Sequence, residues 1–219
     1  MTKLDQDGWV ITATHLDRTA LEALRTSAFT EGSAGQRCLL DDGSVRQAAL
    51  DLKRELIVAN LLPRTAIAIQ AITFDKNPAT NWKVTWHQDL MLPFASKVES
   101  PDYTLPSLKD GIDYARPPRE VLEELLAVRL HLDDCDETNG PLRVASGSHR
   151  HGIFKGAEIP SMLQQSQEVA CLAKEGEVLL MRPLLLHASS PATAPKHRRV
   201  LHFVYHSGCP ILETWHRSV

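Results

Sequence analysis

The hydrophobic period of this chain changes at Pro63, and that change limits the possible folds more than any bulk property. Before it, apolar residues recur at helical spacing. Leu16, Leu21 and Leu24 accompany Thr14 and Asp17, a helix start, and Val45, Ala48, Ala49, Leu52 and Leu56 follow the capping-box pair Ser44 and Gln47. After Pro63, Ile67, Ile69, Ala71 and Thr73 alternate with Ala68, Gln70, Ile72 and Phe74, the period of a strand. Strand-like pieces follow at 82–88, 127–133, 141–145, 168–173, 177–181, 184–188 and 198–206. Residues 92–117, with Pro93, Pro101, Pro106 and Pro117, read as a long irregular lid, and a short helix is expected at 118–126. Two helices ahead of many short strands predict a mainly β fold, a barrel or sandwich with the N-terminal helices packed outside.

At 219 residues and 43% hydrophobic content, the chain is expected to form a single domain spanning 1–219. A formal charge of −3 gives no general reason to expect nucleic acid or an anionic membrane as partner. The first residues, MTKLDQDGWV, hold no apolar leader, and no run is long enough to span a bilayer, so the expected location is cytoplasmic. Cys38, Cys135, Cys171 and Cys209 lie far apart with no C-x-x-C pair, which favours reduced thiols over a disulfide or a zinc site.

Within the strand-like region, Val84-Thr-Trp-His-Gln-Asp-Leu-Met-Leu-Pro93 sets His87 and Asp89 one residue apart. Residues i and i+2 of a strand share a face, so an imidazole and a carboxylate so placed can converge on one ion. The tripeptide alone is a weak signal, and it recurs at His131-Leu-Asp133. Two ligands hold a metal poorly. A 2-His-1-carboxylate set, the facial triad of non-haem Fe(II), needs a third side chain from elsewhere in the chain. His187, ending the apolar run Leu184-Leu-Leu-His187, is the candidate; the alternative is a core histidine satisfied by a backbone carbonyl. In the strand Arg198-Arg-Val-Leu-His-Phe-Val-Tyr205, alternation places Arg198, Val200, His202 and Val204 on one face. Arg199, Leu201, Phe203 and Tyr205 lie on the other, which suits packing beneath the helices. Arg198 then points into the barrel, where a guanidinium needs a carboxylate; a ligand can supply it.

These residues resemble the phytanoyl-CoA dioxygenase family of Fe(II)/2-oxoglutarate-dependent oxygenases. The resemblance is carried, in the family's order, by Trp86-His-Gln-Asp89, Leu130-His-Leu-Asp-Asp-Cys-Asp-Glu-Thr-Asn-Gly-Pro-Leu-Arg143, Gly147-Ser-His-Arg-His-Gly152, and His187 followed by Arg198. With Asp7-Gly-Trp-Val10 it covers nearly the whole chain. It implies a double-stranded β-helix, a jelly-roll or cupin-like barrel. It further implies that His87, Asp89 and His187 bind iron, that Arg198 pairs with the distal carboxylate of 2-oxoglutarate, and that Gln88 and Ser189 add hydrogen bonds to this co-substrate, with O2 as the other. The family has no iron ligands at the second His-x-Asp, so Asp133 and Asp134 are expected in turn chemistry. Arg129 stands where the family often has an aromatic residue. It is either a solvated edge charge or a recognition element for an acidic substrate group. His131, Gln70, Trp82 and Lys83 complete the expected substrate contacts. Ser148-His-Arg-His151 is expected to be a turn. Arg182 falls where the family often shows an acid, and the sequence offers no reason for it.

Related halogenases replace the ligand carboxylate with a small residue; Asp89 is retained, which favours hydroxylation. The expected activity is thus hydroxylation of a small molecule with release of succinate and CO2, by a monomer or homodimer. The competing readings are a cupin-type metal enzyme that does not use 2-oxoglutarate and a non-catalytic, metal-stabilised ligand-binding barrel. No G-x-S-x-G occurs to support a serine hydrolase.

Overall fold

The computed structural model describes residues 2–219. A short helix α1 (Lys3–Asp7) leads into strand β1 (Trp9–Ala13), followed by helices α2 (Arg18–Ala28) and α3 (Gly43–Val58). Strands β2 (Ile67–Lys76), β3 (Val84–His87), β4 (Leu92–Phe94), β5 (Thr104–Lys109) and β6 (Ile112–Arg116) come next. Helix α4 (Arg119–Glu123) precedes β7 (Leu125–His131) and β8 (Leu142–Ala145). Helix α5 (Ile159–Gln165) precedes β9 (Glu168–Cys171), β10 (Glu177–Met181), β11 (His187–Ser189) and β12 (Arg198–His206).

The strands form a five-stranded sheet, β1-β10-β7-β12-β2, and a four-stranded sheet, β3-β11-β8-β9, with antiparallel pairing throughout. This is the expected double-stranded β-helix. Trp9, Ala127, Leu179 and Met181 of the larger sheet pack with Leu142 and Val144 of the smaller one. On the other side of the larger sheet, Leu201, Phe203 and Tyr205 meet Leu21, Leu24, Val45, Ala49 and Leu52 of α2 and α3. The Tyr205 hydroxyl, fully buried, donates to the Ala49 carbonyl at 2.8 Å and so locks α3 onto β12. The helices thus sit outside the barrel, leaving the opposite face of β12 for the interior. No helix among the described residues is long and apolar enough to cross a membrane, and all four cysteines are free thiols.

Several local expectations are corrected. Helix α2 is capped by Asp17, whose carboxylate accepts from Ala20 N at 2.8 Å, while the Thr14 hydroxyl donates to the Gly176 carbonyl. Helix α3 is capped by Asp42 rather than Ser44, with Val45 N donating to its carboxylate at 2.9 Å. A carboxylate ahead of the first turn satisfies free N–H groups and meets the positive end of the helix dipole. Residues 92–117 are not irregular: they hold the three strands of a third sheet, β4-β6-β5. Pro93 and Pro106 lie in its two edge strands, where a missing N–H is tolerated. In the apolar run 184–188 only His187 and Ala188 pair as strand; Leu184, Leu185 and Leu186 are a buried bend, with Leu185 N bonded to the Arg182 carbonyl. The expected helix at 118–126 stops at Glu123, because β7 begins at Leu125.

Candidate active site

The register of the short pair β3–β11 sets His87 directly opposite His187, with ring centroids 4.2 Å apart. Asp89 reaches them by a different route from the strand alternation expected. The strand ends at His87, the chain turns, and Asp89 N is held by the Pro183 carbonyl at 3.0 Å. Its Oδ1 then lies 3.6 Å from both His87 Nε2 and His187 Nε2. One ligand atom from each of the three residues falls within a 4.8 Å span.

The donor chemistry fits a divalent ion. His87 Nδ1 lies 2.8 Å from the Thr85 carbonyl and His187 Nδ1 lies 2.9 Å from the Leu185 carbonyl. A carbonyl can only accept, so each Nδ1 carries a proton, and Nε2, pointing toward Asp89, is the ring nitrogen left to give its lone pair to a metal. Burial alone would raise the Asp89 carboxyl, but the adjacent imidazoles outweigh it and hold the group well below the usual carboxylate range. Two neutral imidazoles and one carboxylate around a common point are what ferrous iron takes in a facial triad.

Gln88, between two of these residues, does not face the centre. Its amide nitrogen donates to the Gly152 and Leu184 carbonyls at 2.7 and 2.6 Å, and its oxygen accepts from Phe154 N at 2.9 Å. With its hydrogen-bonding capacity committed to backbone, Gln88 clamps the turn that presents Asp89. Gln88 also lines the cavity between the two sheets, so the positioning role stands beside the expected co-substrate contact.

Between the sheets lies a cavity of about 370 Å³, reached by the triad and by Arg198, Gln88, Ser189, Arg129, Gln70 and Trp82 among the expected residues. Lys83 is exposed, and His131, buried on the inner face of β7 next to Val200, does not reach the cavity; neither lines it, so both substrate assignments are corrected. Register explains the arrangement of the inner face. On β12, Arg198, Val200, His202 and Val204 pair with Lys76, Phe74, Ile72 and Gln70 of β2. On its other side, Val200 meets His131 and His202 meets Arg129.

Arg198 is buried at 3% exposure, donates to the Gly140 carbonyl, and leaves Nε without a partner. The turn at Gly140 takes φ +70°, and a Cβ there would approach the Ser190 carbonyl to 2.7 Å, so only glycine brings this backbone so close. Beside it is a residue that the sequence did not single out. Lys76 is fully buried, donates to the Ser190 carbonyl at 2.6 Å and Ser189 Oγ at 3.2 Å, and sits over the Trp82 ring. Burial and the charge of Arg198 pull its ammonium down to about 8, which still leaves it mostly cationic near neutral pH. Its signal was the alternation Gln70, Ile72, Phe74, which puts Lys76 on the same face as the cavity wall.

Deeper in, Arg129 Nη1 lies 3.2 Å from His202 Nδ1, and its guanidinium covers the Phe74 ring. Burial and Arg198 lower Arg129 to about 10, so it remains charged, and it is buried rather than a solvated edge residue. Asp133 belongs to an ion pair outside the barrel, accepting from Arg199 Nε and Nη2 at 2.9 and 2.7 Å, which corrects its assignment to a turn. Asp134 does serve a turn, accepting from Glu175 N at 2.9 Å. Arg182 acquires a role: its Nη2 lies 3.4 Å from Asp5 and its backbone N donates to the Gly8 carbonyl, which ties α1 to the barrel. Ser148–His151 is a helical turn whose Ser148 hydroxyl accepts from Leu186 N.

His131 has both ring nitrogens buried without partners. Burial first, then Arg129 and Arg198, push it down to about 3. Between pH 7 and 5 the unfolded imidazole, near 6.5, gains a proton that the folded one refuses; the unfolded state binds more protons, so stability falls as pH falls. The expected loss from this residue is about 2 kcal/mol over that interval. Denaturant unfolding at both pH values should show a smaller difference for His131→Leu than for wild type. An unchanged difference would mean that His131 is not held neutral.

The sequence model of the family described as phytanoyl-CoA dioxygenase matches residues 5–200. No curated protein matches the chain. Among solved structures, EctD from S. alaskensis with 2-oxoglutarate and 5-hydroxyectoine is 20% identical; the match covers 94% of this chain and 75% of that one, with a TM-score of 0.64. HygX from Streptomyces hygroscopicus with nickel and 2-oxoglutarate bound is 14% identical, covering 97% and 86%, with a TM-score of 0.64. The non-heme alpha ketoglutarate dependent epimerase SnoN from nogalamycin biosynthesis is 15% identical, covering 93% and 79%, with a TM-score of 0.63. At these identities the likeness to solved structures is one of fold.

Proposed function

The chain belongs to the phytanoyl-CoA dioxygenase family of Fe(II)/2-oxoglutarate-dependent oxygenases, and on that premise we propose that it hydroxylates a small molecule, releasing succinate and CO2, with residues 1–219 acting as one oxygenase domain. The observation that carries this reading is the convergence of His87 Nε2, His187 Nε2 and Asp89 Oδ1 on a cavity whose wall holds the Arg198 guanidinium, its Nε without a partner. His87, Asp89 and His187 would hold the iron. When bound, ferrous iron supplies the reduction of O2 coupled to oxidative decarboxylation of 2-oxoglutarate, the source of an oxidant able to attack a C–H bond.

The protein's own contribution is placement. Arg198 holds the far carboxylate of 2-oxoglutarate in a charge-assisted, fork-shaped contact, which fixes where the keto acid end falls. Lys76 adds a second positive charge at the same end and orients the Ser189 hydroxyl beside it. The backbone carbonyls of Thr85 and Leu185 keep both imidazoles in the metal-binding tautomer, and Gln88 keeps Asp89 aimed. Ile72, Phe74, Val84 and Trp82 supply an apolar wall that excludes water from the reacting carbon. Retention of Asp89 supports hydroxylation over halogenation, because that carboxylate takes the place a halide would need. The epimerase SnoN shares the fold, so the product is what decides the reaction class.

The deciding measurement is succinate release from 2-oxoglutarate under O2, with product mass. Iron titration should saturate near one equivalent per chain, and a chelator should remove the activity, which added Fe(II) restores. A product that gains one oxygen atom supports hydroxylation; succinate release with a substrate of unchanged mass points to epimerisation. Metal binding that raises stability with no succinate formed under any condition would favour the ligand-binding barrel.

A further inference from the structure

The cavity carries more fixed positive charge than a 2-oxoglutarate site uses. Lys76 and Arg198 are cross-strand partners at one end of the inner face. Arg129 stands apart from them opposite His202, with the Val200–His131 row between. It lines the cavity at 7% exposure, spends Nη1 on His202 Nδ1 at 3.2 Å, and leaves Nε buried without a partner. Among the described residues no carboxylate lies within ion-pair reach of its guanidinium; the nearby Asp89 faces the two imidazoles and, at 4.0 Å, His202 Nε2. A desolvated guanidinium without an acid is unfavourable in the free protein, and an anionic ligand relieves it.

On the oxygenase reading, both carboxylates of 2-oxoglutarate already have partners, one at the metal centre and one at Arg198. Arg129 is left over. We propose that the primary substrate carries a carboxylate and that Arg129 is the residue that seats it, with the rest of the molecule against Phe74, Ile72 and Trp82. A single guanidinium beside one ring matches one negative charge in a planar fork, the geometry of a carboxylate. The cavity of about 370 Å³ is near the lower end for small-molecule sites, roughly 300–1,000 Å³, and 2-oxoglutarate must share it. The buried part of the substrate is therefore small, and a coenzyme A thioester would not fit inside whole. This inference rests on the oxygenase reading and narrows its substrate class.

The test uses the full chain loaded with Fe(II) and saturating 2-oxoglutarate, without O2, titrated calorimetrically with matched probes: pentanoate against pentanamide, and 3-phenylpropionate against its primary amide. In wild type the carboxylates should bind at least tenfold more tightly than the amides. Arg129→Gln should erase that preference while 2-oxoglutarate still titrates to one equivalent, and Arg129→Lys should restore part of it. Equal affinity for acid and amide in wild type would overturn the proposal without needing any variant to fold. So would loss of 2-oxoglutarate binding in folded Arg129→Gln, which would assign the residue to the co-substrate. Failure of wild type to bind 2-oxoglutarate at all would instead overturn the oxygenase reading, and this inference with it.

Discussion

Replacing His187 with alanine will lower succinate release from 2-oxoglutarate by more than about 100-fold. Disturbing an outer hydrogen-bond partner of a metal ligand costs 10–100-fold, so removing the ligand itself must cost more. The side chain is the one member of the triad that lies fully within the sheets, at 2% exposure, and its ring is held by the Leu185 carbonyl. The variant therefore keeps the β3–β11 pairing, which is a backbone matter, while losing one of three donors. His87→Ala should behave alike, because the two imidazoles are related across the same strand pair. Iron binding, followed by equilibrium dialysis or calorimetry, should weaken in parallel with turnover. If His187→Ala folds, binds iron as wild type does and releases succinate at an equal rate, the metal lies elsewhere and the proposed centre is wrong.

The contrast with the rest of the chain shows why the triad needed three dimensions. His-x-Asp occurs at 15–17, 87–89 and 131–133, and only one of these faces the cavity. Asp17 caps a helix and Asp133 pairs with Arg199, so neither carboxylate is free for a ligand. The spacing itself does not separate them. Even at 87–89 the strand-face argument is not what brings the pair together, since β3 stops at His87 and the turn held by Pro183 and Gln88 does the rest. The family resemblance supplies the choice, and the cross-strand register of His87 with His187 supplies the physical reason.

Other features divide along the same line. The two faces of β12 are legible because alternation is local: Leu201, Phe203 and Tyr205 meet the helices while Arg198 turns inward. Lys76 is legible only in its face, by alternation with Gln70, Ile72 and Phe74; its full burial depends on the Ser190 carbonyl, distant in sequence, and on the Trp82 ring. The strands of 92–117 are hidden by their prolines, which sequence patterns read as loop. The third sheet tolerates them because it is small and places them on its edges. Sequence periodicity thus reports which face of an element is apolar, whereas the polar groups of the cavity depend on partners that are non-local.

Arg198→Ala should raise the half-saturating concentration of 2-oxoglutarate by roughly 150-fold, the equivalent of about 3 kcal/mol for truncating one side of a desolvated charge pair. The readout that separates a ligand role from a structural one is stability without 2-oxoglutarate. Arg198 has no protein carboxylate, its Nε is unpartnered, and it repels both Lys76 and Arg129. Removing a buried charge that lacks a counter-ion relieves desolvation. The variant's unfolding free energy in the absence of 2-oxoglutarate should therefore match or exceed that of wild type, even as 2-oxoglutarate affinity collapses. At saturating 2-oxoglutarate the turnover rate should recover most of the way, because a contact made equally before and during reaction moves KM rather than kcat. Arg198→Lys keeps the charge but loses the fork and should fall between. A variant that binds 2-oxoglutarate normally but unfolds more readily would reverse the assignment, making Arg198 a clamp for the Gly140 turn; equal loss of both would mean that the two roles are one.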